Sequence, residues 1–192
     1  ILPFFLKNMR KLISLFILFF SFFLSSQEAL FTLVNSKKTG IHFSNNLIDT
    51  PESNIFLYAN YYGGSGVGIG DFDNDGLEDI FFAGNIVEDK IYKNLGDFKF
   101  EDKTKFSGII NNGSWSTGVT VADVNNDGLL DIYVSCELYD DAPFLRTNKL
   151  YINKGDFEFV ESAKKWGVDV DRRTRHSVFF DYNNDGLLDL YL

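Results

Sequence analysis

The ten-residue stretch Asp71–Ile80 (DFDNDGLEDI) returns as Asp123–Ile132 (DVNNDGLLDI) and again as Asp181–Leu190 (DYNNDGLLDL). Each copy puts oxygen-bearing side chains at positions 1, 3, 5 and 9 and a glycine at position 6. A hard cation such as Ca²⁺ takes about six to eight oxygens, and a loop delivers them when alternate residues face inward and a glycine permits a sharp reversal. In the first copy the candidate ligands are Asp71, Asp73, Asp75, the main-chain oxygen of Leu77, and Asp79. The second offers Asp123, Asn125, Asp127, Leu129 and Asp131, and the third Asp181, Asn183, Asp185, Leu187 and Asp189. Carboxylates crowded this closely repel one another unless a cation lies among them. The repeat therefore predicts about three structural Ca²⁺ sites. Asp-Gly and Asn-Asp are favoured turn residues without any metal, but all three copies also keep an acid at position 9, which a bare turn does not need. An EF-hand is excluded, because its bidentate Glu at position 12 is replaced by Phe82, Val134 or Leu192.

The loops begin 52 and then 58 residues apart, and each lies between short apolar runs. Gly66–Gly70, Gly118–Ala122 and His176–Phe180 precede them; Ile80–Ala83, Ile132–Ser135 and Leu190–Leu192 follow. Runs this short and rich in Val, Ile, Phe and Tyr predict strands. A second repeated unit comes next: Lys90–Phe100 (KIYKNLGDFKF) matches Lys149–Phe159 (KLYINKGDFEF). Gly and Asp between two such runs predict a hairpin. Phe98 and Phe100 are expected on one face of its second strand with Lys99 opposite, and Phe157 and Phe159 likewise against Glu158. Strand, loop, strand, strand, turn, strand in about 50–60 residues is a propeller blade, and a propeller needs about four blades or more to close. The expected fold class is all-β, a partial β-propeller of four-stranded antiparallel blades with calcium loops, cut from a longer protein. Its parts are capping strands or a degenerate blade over 27–62, blades over 63–116 and 117–175, and a truncated blade over 176–192.

The loops together with their YxNxGDxxF hairpins resemble FG-GAP/VCBS-type repeats, the calcium-binding blades of integrin-α-like propellers. They are especially similar to large secreted bacterial VCBS-repeat proteins, some with an ASPIC/UnbV module. The resemblance covers about residues 60–192 and implies a propeller, commonly seven-bladed, with Ca²⁺ between the first two strands of a blade. Where the family has its Phe-Gly pair this chain has Gly68-Ile69-Gly70, Val121-Ala122 and Phe179-Phe180. That departure argues against integrin-style ligand binding and leaves the metal loops untouched.

Met9-Arg10-Lys11, the thirteen-residue apolar run Leu12–Leu24 and the small pair Ser25-Ser26 have the layout of a secretory signal peptide over 9–26. Residues 1–8 read as upstream read-through or a misplaced start. The apolar run is shorter than the roughly 20 residues of a membrane span, so no membrane insertion is expected after cleavage. Localisation is then secreted or cell-surface, periplasmic or outer-surface in a bacterium. Removing 1–26 takes the formal charge from −9 to −12. Such a chain repels nucleic acid and anionic membrane. Ten of the 27 acidic residues are aspartates at the proposed ligand positions, so bound Ca²⁺ would neutralise much of the excess. Cys136 stands alone in an apolar run and reads as a buried hydrophobe.

Other features carry less. Gly63–Gly70 (GGSGVGIG) fits no phosphate-binding glycine pattern and reads as close backbone packing. Trp115 and Trp166 read as core. His42 and His176 stand apart, and no serine has a nucleophile-elbow context, so no catalytic constellation is present. The leading functional expectation is a calcium-stabilised module binding an unidentified protein or glycan ligand. The alternative is a propeller that presents substrate to a catalytic part lying outside this stretch.

Overall fold

The computed structural model describes residues 29–138 and 140–192; the expected upstream segment and signal peptide lie outside the described residues. Two compact units divide the chain, Ile1–Val34 and Asn35–Leu192. The described residues of the first, 29–34, carry neither helix nor strand. Every helix and strand of the described residues lies in the second.

Three antiparallel sheets follow one another in sequence order. The first is β1 (Val67–Gly70), β2 (Asp79–Phe82), β3 (Lys90–Asn94) and β4 (Phe100–Asp102), each paired with the next. The second repeats it as β5 (Trp115–Ala122), β6 (Asp131–Glu137), β7 (Lys149–Asn153) and β8 (Phe159–Glu161). The third holds β9 (Val178–Phe180) and β10 (Asp189–Tyr191). Register is the same in all three: Gly70 pairs with Asp79, Ala122 with Asp131, and Phe180 with Asp189. Position 9 of every loop is thus the first residue of the second strand. The all-β, four-stranded antiparallel architecture expected from the sequence is present.

The sheets pack face to face, because alternate residues of a strand point to opposite sides. On β6, Ile132, Val134 and Cys136 join Phe72, Phe81, Ala83 and Ile91 of the first repeat in one core cluster. Tyr133, one residue out of phase, joins Leu150 and Ile152 with Phe179 and Leu190 of the third sheet in another. Cys136 is fully buried, and burial pushes its thiol up to about 11. The first strands also lie side by side, β1 against β5 and β5 against β9. Glycines make the approach possible. A Cβ on Gly68 would lie 2.8 Å from Val119 Cγ1 and 2.9 Å from Val121 Cγ2. One on Gly118 would lie 2.5 Å from the Arg175 carbonyl oxygen.

A polar tether repeats beside this apolar contact. The residue before β3 and β7 is Asp89 in one repeat and Asn148 in the next. Gly84 N–H donates to Asp89 Oδ1 (2.8 Å), and the Ser116 hydroxyl of the following repeat donates to Asp89 Oδ2 (3.2 Å). Correspondingly, Cys136 N–H donates to Asn148 Oδ1 (2.8 Å), and Asn148 Nδ2 donates to Thr174 Oγ1 (3.1 Å). Backbone bonds from Ser116 N–H to Gly84 O (3.1 Å) and from Thr174 N–H to Cys136 O (3.0 Å) run alongside.

Several expectations are corrected. Residues 35–62 hold no strand among the described residues; a single helical turn, α1 (Ser36–Thr39), and turns bring Tyr58 and Tyr61 onto Trp115. The second sheet starts at Trp115, with an irregularity in β5 between Ser116 and Val119. Phe98 does not share a strand face with Phe100. It lies in the turn with φ +56°, preceded by Gly96 and Asp97 also at positive φ, and the strand starts only at Phe100. Phe157 takes the same left-handed conformation, φ +62°, yet is buried with Phe159 against Phe72. Single helical turns follow β4 and β8, namely α2 (Thr104–Ser107) and α3 (Ala163–Trp166). Trp166, at the end of α3, is 44% exposed and is not core, whereas Trp115 is 1% exposed.

Two predictions follow from this packing. Gly68→Ala overfills the β1–β5 contact and should cost about 1–3 kcal/mol in a denaturant titration of the full chain; an unchanged midpoint would contradict the close approach. Asp89 titrates in the opposite sense to a surface acid. Burial pushes its carboxyl up to about 6, against the pull of its hydrogen bonds, whereas an unfolded aspartate sits near 3.9. Its favourable contribution is therefore present in acid and is lost as pH rises from about 4 through about 6. Asp89→Asn, which copies Asn148, should gain in melting temperature relative to wild type between about pH 5 and about pH 7.5 in chelator. A pH-independent difference between the two proteins would refute the assignment.

Candidate metal centre

Each loop is shaped first by hydrogen bonds from its own backbone. The position-1 carboxylate accepts two N–H groups across the turn. Asp71 takes those of Asp75 (3.0 Å) and Gly76 (2.8 Å), Asp123 those of Asp127 (3.1 Å) and Gly128 (2.8 Å), and Asp181 those of Asp185 (3.1 Å) and Gly186 (2.9 Å). The position-5 Asp then accepts the position-7 N–H: Leu77 to Asp75 (2.9 Å), Leu129 to Asp127 (3.0 Å), Leu187 to Asp185 (2.8 Å). Two residues per loop must be left-handed to allow this. Glycine at position 6 is one, at φ +87°, +86° and +84°. Asparagine at position 4 is the other: Asn74, Asn126 and Asn184 lie at φ +59°, +56° and +59°. Asn is among the few non-glycine residues that visit this region readily.

Position 9 ties the loop to the sheet. Asp79 is fully buried; its Oδ2 accepts Phe72 N–H (2.9 Å) and its Oδ1 accepts Asn94 N–H on β3 (2.7 Å). Asp131 does the same for Val124 N–H (3.0 Å) and Asn153 N–H (2.8 Å), and Asp189 accepts Tyr182 N–H (2.9 Å). The hairpin asparagine answers back. Asn94 Nδ2 donates to the Glu78 carbonyl (2.8 Å). Asn153 Nδ2 donates to the Leu130 carbonyl (3.0 Å) and to the carbonyl of Phe72 in the preceding repeat (2.8 Å). A further bond, Asn74 Nδ2 to the Gly128 carbonyl (3.0 Å), joins neighbouring loops directly.

Electrostatics separates the positions. Burial pushes the Asp79 carboxyl up to about 6, although two backbone N–H groups pull it down. Asp131 is raised for the same reason. Asp75 and Asp185 go the other way. Lys93 and the Leu77 N–H hold Asp75 below the ordinary carboxylate range, and the Leu187 N–H with Asn183 does so for Asp185. Asp75 and Asp185 are thus held ionised, whereas Asp79 and Asp131 resist ionisation because burial disfavours the charged form and neighbouring aspartates add to the effect.

The donor set fits a hard cation. Asp71, Asp73 and Asp79 each bring a carboxylate oxygen within 4.8 Å of the others. Asp73 Oδ1 is buried without a hydrogen-bond partner among the described residues, as an acceptor awaiting a cation would be. Asp75 lies outside that trio and is engaged by Lys93 Nζ at 2.7 Å. The second and third loops place Asp123, Asn125, Asp127 and Asp131, and Asp181, Asn183, Asp185 and Asp189, through the same backbone bonds. In these loops the asparagine at position 3 accepts the position-5 N–H, Asp127 to Asn125 at 2.9 Å and Asp185 to Asn183 at 3.0 Å. Sequence reasoning missed two contributors, the position-4 asparagine and the hairpin asparagine. Both were visible as repeated residues: Asn recurs at position 4 in all three loops and at Asn94 and Asn153 in both hairpins.

Comparison with known proteins agrees with the geometry. Residues 71–134 match the FG-GAP-like repeat, a stretch running from the first loop through the second and into β6. The chain is also 28% identical over 132 residues to cartilage acidic protein 1 of Xenopus tropicalis. That alignment takes in 68% of this chain and 20% of the relative, so the chain spans about a fifth of the relative's length. The resemblance drawn from the loops holds for the FG-GAP-like repeat.

The two kinds of aspartate should separate on substitution. Asp131→Ala orphans two backbone N–H groups and should cost on the order of 2–4 kcal/mol even in chelator. Asp127→Ala removes an exposed carboxylate and should change little there. Equal loss for both variants in chelator melts would show that position 9 is not the strut described.

Proposed function

We propose that this chain, whose residues 71–134 form an FG-GAP-like repeat, belongs to a secreted or cell-surface β-propeller that uses calcium for rigidity and binds a protein or glycan ligand. The observation that carries the reading is the threefold loop, in which backbone N–H groups hold the position-1 aspartates in place, together with the convergence of Asp71, Asp73 and Asp79 in the first copy. Positions 1, 3, 5 and 9 with the position-7 carbonyl would hold the ion. When bound, Ca²⁺ supplies positive charge and an oxygen cross-link, and does no reaction chemistry. Sites of this sort can be weak, with dissociation constants on the order of 10⁻⁴–10⁻³ M, because extracellular calcium is abundant.

The extracellular reading draws support from the FG-GAP-like repeat and from a relative whose name assigns it to cartilage. Among the described residues no helix is long and apolar enough to cross a membrane. The formal charge of −9 disfavours nucleic acid as a partner. A binding role, as against catalysis, accords with how the raised carboxyls are used: Asp79, Asp89 and Asp131 are each committed to backbone or side-chain donors within the fold.

Calorimetric titration of the full chain with Ca²⁺, paired with thermal melts in calcium and in chelator, tests the proposal. About three binding events and a clear rise in melting temperature are expected. Asp127→Ala should lose stability in calcium and lose one event. A folded chain that takes up no calcium would reduce the loops to turns.

A further inference from the structure

The first loop departs from the other two at a pair of linked places. Position 3 is Asp73, where the others have Asn125 and Asn183; the fourth residue of β3 is Lys93, where β7 has Ile152. In the second and third loops the asparagine Nδ2 donates to Oδ2 of the position-5 aspartate, at 2.9 Å in both. In the first loop the equivalent Oδ2 of Asp75 receives Lys93 Nζ at 2.7 Å, and the same ammonium contacts Asp73 Oδ2. A neutral amide donor has been exchanged for a tethered cation. Four aspartates with Lys93 carry the same formal charge, −3, as three aspartates with Ile152. The neighbouring repeat positions the lysine too, since its ammonium lies 5.6 Å from the centroid of the Phe157 ring. The lysine side chain is 21% exposed, so a route to solvent is open.

We propose that Lys93 is an internal counter-ion of the first loop, competing with Ca²⁺ for Asp73 and Asp75. The first loop is then a weaker calcium site than the second, and the one of the two that keeps its order without calcium. A divalent cation among these carboxylates repels an ammonium in contact with them, so binding must expel Lys93 and forfeit both ion pairs. The second loop, with Ile152 in place of the lysine, need only turn an amide. The proposal rests on the calcium reading above, and its test separates the two.

Ca²⁺ is titrated into the full chain while the amide signals of Gly76, Gly128 and Gly186 are followed. Each of these N–H groups donates to its own position-1 carboxylate, at 2.8, 2.8 and 2.9 Å, and so reports one loop. In wild type Gly76 should respond at a higher calcium concentration than Gly128. In Lys93→Met its midpoint should fall by about tenfold or more while the other two stay in place. The same variant should melt lower in chelator. Should Lys93→Met fold poorly, the double variant Asp73→Asn/Lys93→Ile restores the second repeat's own pair and should bring the Gly76 midpoint to that of Gly128. If Gly128 and Gly186 respond but the Gly76 midpoint is the same with and without Lys93, the counter-ion role is refuted and the calcium reading stands. If none of the three glycines responds in a folded protein, the calcium reading falls and this proposal with it.

Discussion

A carboxylate has two oxygens, and at Asp79 and Asp131 each one takes a backbone N–H from a different part of the chain. One donor starts the loop and the other lies at the end of the hairpin's first strand, 22 residues beyond Asp131 in the second repeat. The start of the loop, the second strand and the end of the third are fixed to one side chain. A neutral amide of similar shape could not accept on both of its terminal atoms, because one is an acceptor oxygen and the other a donor nitrogen. Hence the acid at position 9 recurs, while position 3 drifts between Asp73 and Asn125 or Asn183. The ion would act on a loop whose frame already exists.

Beyond that joint, the repeats are held together by contacts in which chemistry varies and geometry does not. Asp89 and Asn148 occupy equivalent places and accept equivalent N–H groups, at 2.8 Å each, yet one is an acid and the other an amide. The partner adjusts. Ser116 donates to the acid, whereas Thr174 accepts from the amide. A hydroxyl can do either, which is why Ser and Thr suit the tether whatever faces them. Lys93 and Asp73 show the same covariation with charge in place of hydrogen-bond polarity.

The strands and loops were legible because both follow from local rules: short apolar runs, a fixed spacing of oxygens, a glycine at the reversal. Gly68 was legible as close packing, although only the structure shows Val119 and Val121 seated on it. Other features were hidden for physical reasons. Phe98 and Phe157 alternate with charge exactly as strand residues would, but the turn recruits Asp97, Phe98, Asp156 and Phe157 into the left-handed region, so the period-two signal there is accidental. Trp166 is apolar and large, yet it ends a single turn whose C-cap, Gly167, leads the chain away, leaving the ring half exposed. Residues 35–62 gave no strand because their aromatic residues, Tyr58 and Tyr61, cover Trp115 from turns. The tethers at Asp89 and Asn148 pair residues 27 and 26 apart in sequence. No pattern within one window announces such a pair.

What an ion would add to a loop already braced by N–H groups follows from the electrostatics of its acids. Hydrogen bonds fix where the carboxylates sit, but an N–H dipole offsets only part of a full negative charge. The remainder appears as the upward push on Asp79 and Asp131, which burial and neighbouring aspartates both feed. Asp73 Oδ1, buried and unpartnered among the described residues, is the same shortfall seen as geometry. In the first loop Lys93 supplies part of the missing charge from within the chain; the second repeat has Ile152 there. Backbone bracing and charge compensation are thus separate demands on one motif, the first met by the fold itself and the second what a bound cation would supply.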